Sequence, residues 1–164
     1  MPKVLIEQPS GEGRRIGVAV ARFNEVVTER MLEGALATLR EHGVADDDVL
    51  VTWVPGAFEL PTACRWLAQR GCDAVVMLGA IVRGGTDHYD YVCSGVTDGA
   101  MRVQLELDVP VGFGVLTCAD LELALARAGG DHGNKGSDAA AAALAMAGLR
   151  AQLDEAPTWT DRRA

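Results

Sequence analysis

Apolar residues fall in short unbroken blocks along this chain, separated by longer stretches in which they recur at helical spacing. "RRIGVAVARF" carries one block, from Ile16 to Val20, and "DVLVTWV", "CDAVVMLGAIV" and "PVGFGVLTC" carry three more. A strand with one wet face alternates apolar and polar residues, whereas a strand covered on both faces is apolar throughout. All four blocks are of the second kind. In "NEVVTERMLEGALATLREHG", Val26, Val27, Met31, Leu32, Ala35 and Leu39 mark a helix, with Asn24 as its N-cap and Gly43 just past its end. "AFELPTACRWLAQRG" predicts a second helix closing at Gly71, with Pro61 near its first turn, where a missing N–H costs little. "DYVCSGVTDGAMRVQLELD" predicts a third, weakened by Gly95 and Gly99. "ADLELALARAGG" and "NKGSDAAAAALAMAGLRAQL" predict two more, split by the turn "GGDHG".

Strand and helix therefore alternate four times. The expected fold is α/β: a three-layer α/β/α sandwich around a four-stranded parallel sheet, flavodoxin-like in kind. The length of 164 residues suits a single domain, with residues 1–14 as an N-terminal arm and 154–164, "DEAPTWTDRRA", as a loosely ordered tail. Within the arm, "KVLIEQ" is strand-like but has no obvious partner. Two readings stay open: it pairs with the sheet edge of a neighbouring subunit, or it forms a short edge strand on its own sheet.

Composition narrows the function. Hydrophobic residues make up 49% and charged residues 23%, an ordinary globular balance. A formal charge of −8 argues against a nucleic-acid partner, although one arginine and a few backbone N–H groups can still hold a small anion. No apolar run approaches the ~18 residues a membrane helix needs, and no leader-like segment opens the chain, so a soluble cytoplasmic protein is expected. Cys64, Cys72, Cys93 and Cys118 show no C-x-x-C pairing and read as free thiols. The three histidines show no metal-ligand spacing, so no metal is expected.

Parallel sheets take their ligands at the carboxyl ends of the strands. The stretches there are "ARFN", "VPGAFE", "RGGTDHYD" and "TCAD". Gly84, Gly85 and Thr86 can form a backbone nest for an anion or simply a tight turn. The spacing matches neither a Walker loop nor a dinucleotide fingerprint. His88 follows at once and is suited to proton transfer, or to a structural role. Phe23 can stack on a planar ring, and Phe113 can do so or pack in the core. Glu59 at a helix start and Arg127 near a helix end fit the helix dipoles, or a ligand.

Taken together, "ARFN" (Ala21 to Asn24), "VPGAFELP" (Val54 to Pro61), "GAIVRGGTDHYDYVC" (Gly79 to Cys93), "PVGFGVLT" (Pro110 to Thr117) and "RAGGDHGNKGSDAA" (Arg127 to Ala140) resemble the lumazine synthase family, in order and spacing, from Ile16 to Leu149. The resemblance implies condensation of 5-amino-6-(D-ribitylamino)uracil with 3,4-dihydroxy-2-butanone 4-phosphate to 6,7-dimethyl-8-ribityllumazine, with no cofactor. It implies a pyrimidine and ribityl site from Phe23, Asn24, Ala57, Phe58, Glu59, Ala80, Ile81, Val82, Phe113 and Lys135. Phe113 would reach in from an adjacent subunit. Gly85, Thr86 and Arg127 would hold the phosphate, and His88 would move protons. It further implies pentamers, a 60-subunit shell in some members, and association with riboflavin synthase. Ala126 stands where related sequences carry a carboxylate beside the arginine, and Asp138 where they carry glutamate. Two other readings from the same resemblance are a riboflavin synthase and an idle flavin-binding or shell protein.

Overall fold

The computed structural model describes residues 1–159. Its elements are β1 (Ile16–Ala21), α1 (Glu25–Glu41), β2 (Val49–Val54), α2 (Leu60–Gln69), β3 (Ala74–Val82), α3 (His88–Leu107), β4 (Val111–Cys118), α4 (Leu121–Ala126), β5 (Ala128–Gly130), β6 (Gly133–Asn134) and α5 (Lys135–Glu155). The first four strands form one parallel sheet in the order β2-β1-β3-β4.

Strand parity splits the core into two layers. On β3, Ala74, Val76, Leu78 and Ala80 face α1, α4 and α5, meeting Met31, Leu39, Ala124, Ala140 and Leu144. Val75, Met77 and Ile81 face α2 and α3, meeting Leu60, Leu67, Val96 and Val103. Every residue of β1 is buried, which is why its sequence does not alternate. The sandwich is the flavodoxin-like arrangement that the strand blocks predict.

Gly95 and Gly99 have a use that propensity conceals. A Cβ on Gly95 would lie 2.7 Å from Phe58 Cε2, and one on Gly99 2.5 Å from Pro61 Cβ. The two glycines make a flat track along α3, on which the start of α2 rests.

Four expectations need correction. The segment read as the turn "GGDHG" is part of a small antiparallel hairpin, β5 with β6. Gly129, at a φ of +93°, turns the chain back after the short α4, which stops at Ala126. Helix α3 begins at His88, so the histidine stands on a helix end and not in a loop. Residues 1–10 form no strand, so the arm is no edge strand of its own sheet. It runs past α5, where Gln152 Nε2 donates to the Ile6 carbonyl at 2.9 Å, and the Gln8 carbonyl sits against Gly148. Asp154 and Glu155 belong to α5 and not to a loose tail; residues 160–164 of that tail lie outside the described residues.

Cys64 and Cys118 are buried, Cys72 and Cys93 half-buried, and all four are free. Among the described residues no helix is long and apolar enough to cross a membrane.

Candidate functional site

The carboxyl ends of β1 and β3 are staggered. The last pair between them is Val20 with Leu78, whereas β3 continues beside β4 as far as Val82 with Cys118. Residues Gly79 to Val82 thus have a strand on one side only. Their other edge offers backbone polar groups to whatever lies there.

The turn after β1 lies across this open corner. Arg22 N–H donates to the Val54 carbonyl at 2.8 Å and Phe23 N–H to the Pro55 carbonyl at 3.0 Å. Asn24 has left-handed backbone angles, φ 63° and ψ 45°. It occupies the predicted N-cap position, and its carbonyl accepts from Val27 and Thr28 N–H. Its side chain makes no capping bond. Instead Asn24 Nδ2 donates to the Ala80 carbonyl at 2.8 Å.

Below this turn opens a cleft of about 720 Å³. Of the residues picked out from the sequence, Phe23, Ala57, Phe58, Glu59, Ala80, Ile81, Val82, Thr86 and His88 line it. Gly85 lies between two lining residues, Gly84 and Thr86, without forming the wall itself, and Asn24 stands outside the wall. Glu59 Oε2 lies 3.3 Å from where a Cβ on Gly56 would sit, so the carboxylate rests over that glycine. Thr86 Oγ1 accepts from His88 N–H at 3.4 Å. Neither Gly84 nor Gly85 has a positive φ, and a Cβ on either would meet nothing within 4 Å. The tight-turn reading of these glycines therefore fails: the folded chain does not require glycine at either position.

Tyr89, Tyr91 and Val92 also line the cleft and were not picked out from the sequence. Once α3 starts at His88, Tyr91 and Val92 fall three and four residues on, on the histidine's own face. That spacing was the available signal. Arg83, by contrast, is turned aside: its guanidinium lies 4.3 Å from the Tyr89 ring centroid and 3.5 Å from Asp90.

The remaining predicted residues are elsewhere. Phe113, Arg127 and Lys135 line a separate hollow of about 210 Å³ beside β4, with Thr117 and Cys118. Arg127 caps α4, donating from Nη1 to the Leu123 carbonyl at 3.0 Å, which supplies the orientation that Ala126 cannot. Lys135 Nζ is 3.0 Å from Asp138 Oδ2. Burial raises the Cys118 thiol's pKa, with the Arg127 charge opposing it. The Tyr89 phenol is also raised, first by desolvation, while its hydrogen bond to Thr117 opposes the shift.

Two features summarise the chemistry. All three phenylalanines of the chain are exposed, Phe23 by 73%, Phe58 by 61% and Phe113 by 45%, and each sits in one of these two hollows. Among the described residues the main cleft is lined by no lysine or arginine, while the small hollow has one of each.

A parallel sheet with an aromatic-walled cleft at its strand ends defines an α/β ligand-binding protein of the doubly wound class. Comparison with known sequences narrows the class. Residues 13–151 match the family model described as 6,7-dimethyl-8-ribityllumazine synthase. A protein of that name from Pediococcus pentosaceus is 48% identical over 146 residues, covering 88% of this chain and 94% of its own length. The chain belongs to the 6,7-dimethyl-8-ribityllumazine synthase family.

Proposed function

We propose that this chain is a transferase that condenses 5-amino-6-(D-ribitylamino)uracil with 3,4-dihydroxy-2-butanone 4-phosphate. The products are 6,7-dimethyl-8-ribityllumazine, phosphate and two waters. Each active site joins the main cleft of one copy to the small hollow of another. The observation that carries this reading is a division of charge: an aromatic cleft without lysine or arginine among the described residues, and a hollow with one of each on the same chain. An anionic substrate seated in the cleft needs positive charge, and a second copy can bring it.

The geometry supports the following roles. The Phe23 ring stacks on the pyrimidine, and the open edge of Ala80 to Val82 reads its polar rim. Asn24 stands behind that edge. Ala57 and Phe58 wall the ribityl chain, and Glu59 accepts from its hydroxyls. The phosphate sits by Gly85 and Thr86 at the start of α3, where the first-turn N–H groups and the helix dipole favour an anion. Glycines with no Cβ let the backbone come close to it. Arg127 of the second copy completes the clamp, with Phe113 covering the ring and Lys135 reaching it.

The 5-amino group attacks the ketone, and the carbinolamine loses water to give an imine. A proton leaves C3 as phosphate departs from C4. The resulting enol tautomerises to a C3 ketone with a methyl group at C4. The ribitylamino nitrogen then attacks that ketone, and a second water leaves as the ring closes. Each step is a proton transfer or the departure of a leaving group, which His88 and the phosphate clamp are suited to serve. Holding the two substrates together supplies much of the rest.

An unlike-surface contact repeated with a closing rotation gives a ring, and the family resemblance implies a ring of five. The arm leaves Val4 and Ile6 exposed and forms no strand, which supports its pairing with the neighbour's sheet edge once Ile6 gives up its bond to Gln152. Assembly of pentamers into a 60-subunit shell, association with riboflavin synthase and a cytoplasmic location belong to the same reading.

The test mixes purified protein with both substrates and follows lumazine fluorescence and released phosphate together. The reading expects both to rise in equal amounts, well above the uncatalysed condensation. Lumazine binding without turnover would instead make the chain an idle binder, and riboflavin formed from added lumazine would make it a riboflavin synthase.

A further inference from the structure

We infer that Asn24 is a positioning residue that holds the Phe23 ring over the cleft by tying the turn after β1 to the open edge of β3. The inference rests on the reading that the cleft takes a planar heterocycle. It assigns Asn24 a role through Ala80 and not through contact with the ligand.

Phe23 is 73% exposed, so packing within the chain does little to fix its ring. What fixes it is the main chain on either side. Upstream, Arg22 and Phe23 N–H groups are bonded to Val54 and Pro55 at the end of β2. Downstream, the one hydrogen bond from this turn to β3 among the described residues is the Asn24 amide on the Ala80 carbonyl, at 2.8 Å and partly buried. This bond falls just where pairing between β1 and β3 has run out, two residues past Leu78. The side chain thus adds a rung to the sheet and spans the turn between two strand ends.

The residue type fits the task. Position 24 has a φ of 63°, where asparagine is among the few non-glycine residues that sit comfortably. Its amide also donates, as the Ala80 carbonyl requires. Aspartate tolerates the same backbone but would set a carboxylate against a carbonyl. By occupying Ala80 O, Asn24 also removes one acceptor from the open edge, which leaves fewer ways for a heterocycle to bind in the wrong register.

The experiment compares Asn24→Gly with the unaltered chain, in the full assembly, with 6,7-dimethyl-8-ribityllumazine as the probe in a fluorescence titration. Glycine keeps the left-handed backbone and deletes only the amide. Loss of one ordinary hydrogen bond predicts about a fivefold weaker affinity for the ring, with the affinity for inorganic phosphate unchanged. In a Phe23→Ala background the same substitution should have almost no further effect, because the ring it positions is gone. Asn24→Asp should be worse than glycine at neutral pH. Unchanged ring affinity in Asn24→Gly overturns the inference, as does an equal loss in the Phe23→Ala background or an equal loss for phosphate. Turnover by the unaltered chain is measured alongside. If that turnover is absent while Asn24→Gly still weakens the ring, the positioning role stands and the proposed reaction falls. If the unaltered chain does not bind the lumazine at all, both fall.

Discussion

Phe23, Phe58 and Phe113 each leave a large ring in water, although burying a phenylalanine stabilises a fold by roughly 1.5–3 kcal/mol. One exposed aromatic means little, but exposing all three gives up that stabilisation three times, always in a hollow. The side chain at position 64 is treated in the opposite way. Cys64 is fully buried on the inner face of α2, and its pKa is pushed up to about 12 by burial alone. Because the folded value lies above the ordinary 9.0, the folded state disfavours the thiolate. Stability should therefore be unaffected by this group below pH 9 and fall above it, by about 1.4 kcal/mol per pH unit until the folded pKa is reached. Denaturant titrations at neutral and strongly alkaline pH would show this. Cys64→Ala should lower stability at neutral pH yet decline less steeply above pH 9, and an identical slope in both proteins would contradict the assignment.

Between elements, the close contact of α2 with α3 is made by glycines, and it reverses a simple propensity argument. Alanine normally stabilises a helix interior by roughly 1 kcal/mol over glycine. At Gly99 the added methyl would lie 2.5 Å from Pro61, and forcing such overpacking costs typically about 1–3 kcal/mol. Gly99→Ala should thus lower the Tm, as calorimetry would report, while the same change at an open helical site would not. The sequence could show that Gly95 and Gly99 weaken α3, but not that Phe58 and Pro61 lie against them. The same limit explains what else was legible. Strands β1 to β4 were plain because their blocks are almost wholly apolar, although only β1 and β3 prove to be covered on both faces: β2 has no fully buried residue, and β4 exposes Phe113 and Thr117. Hairpin β5–β6 was not, because strands of three and two residues rich in glycine carry no alternation. The start of α3 was read two residues late, which hid Tyr91 and Val92 as cleft residues. Nine of the fourteen residues expected at the site do line the cleft. The resemblance already assigned Phe113 to an adjacent subunit, but motif order alone could not reveal that Arg127 and Lys135 lie apart from the cleft with it.

At the scale of the whole molecule, the aromatic cleft and the cationic hollow are two separate pockets. In the proposed reaction, catalysis joins the cleft of one copy to the cationic hollow of another. Complementation tests it most directly. One chain carries Glu59→Ala and His88→Ala, which disable the cleft; the other carries Arg127→Ala and Lys135→Ala, which disable the hollow. Each alone should release almost no phosphate and form almost no lumazine. Unfolded and reassembled together in equal amounts, they should recover about a quarter of the unaltered activity, the fraction of sites that draw an intact cleft and an intact hollow from different copies in a heterologous ring. A mixture no more active than its parents, while mass spectrometry shows mixed oligomers, would contradict the claim and place the whole site within one chain.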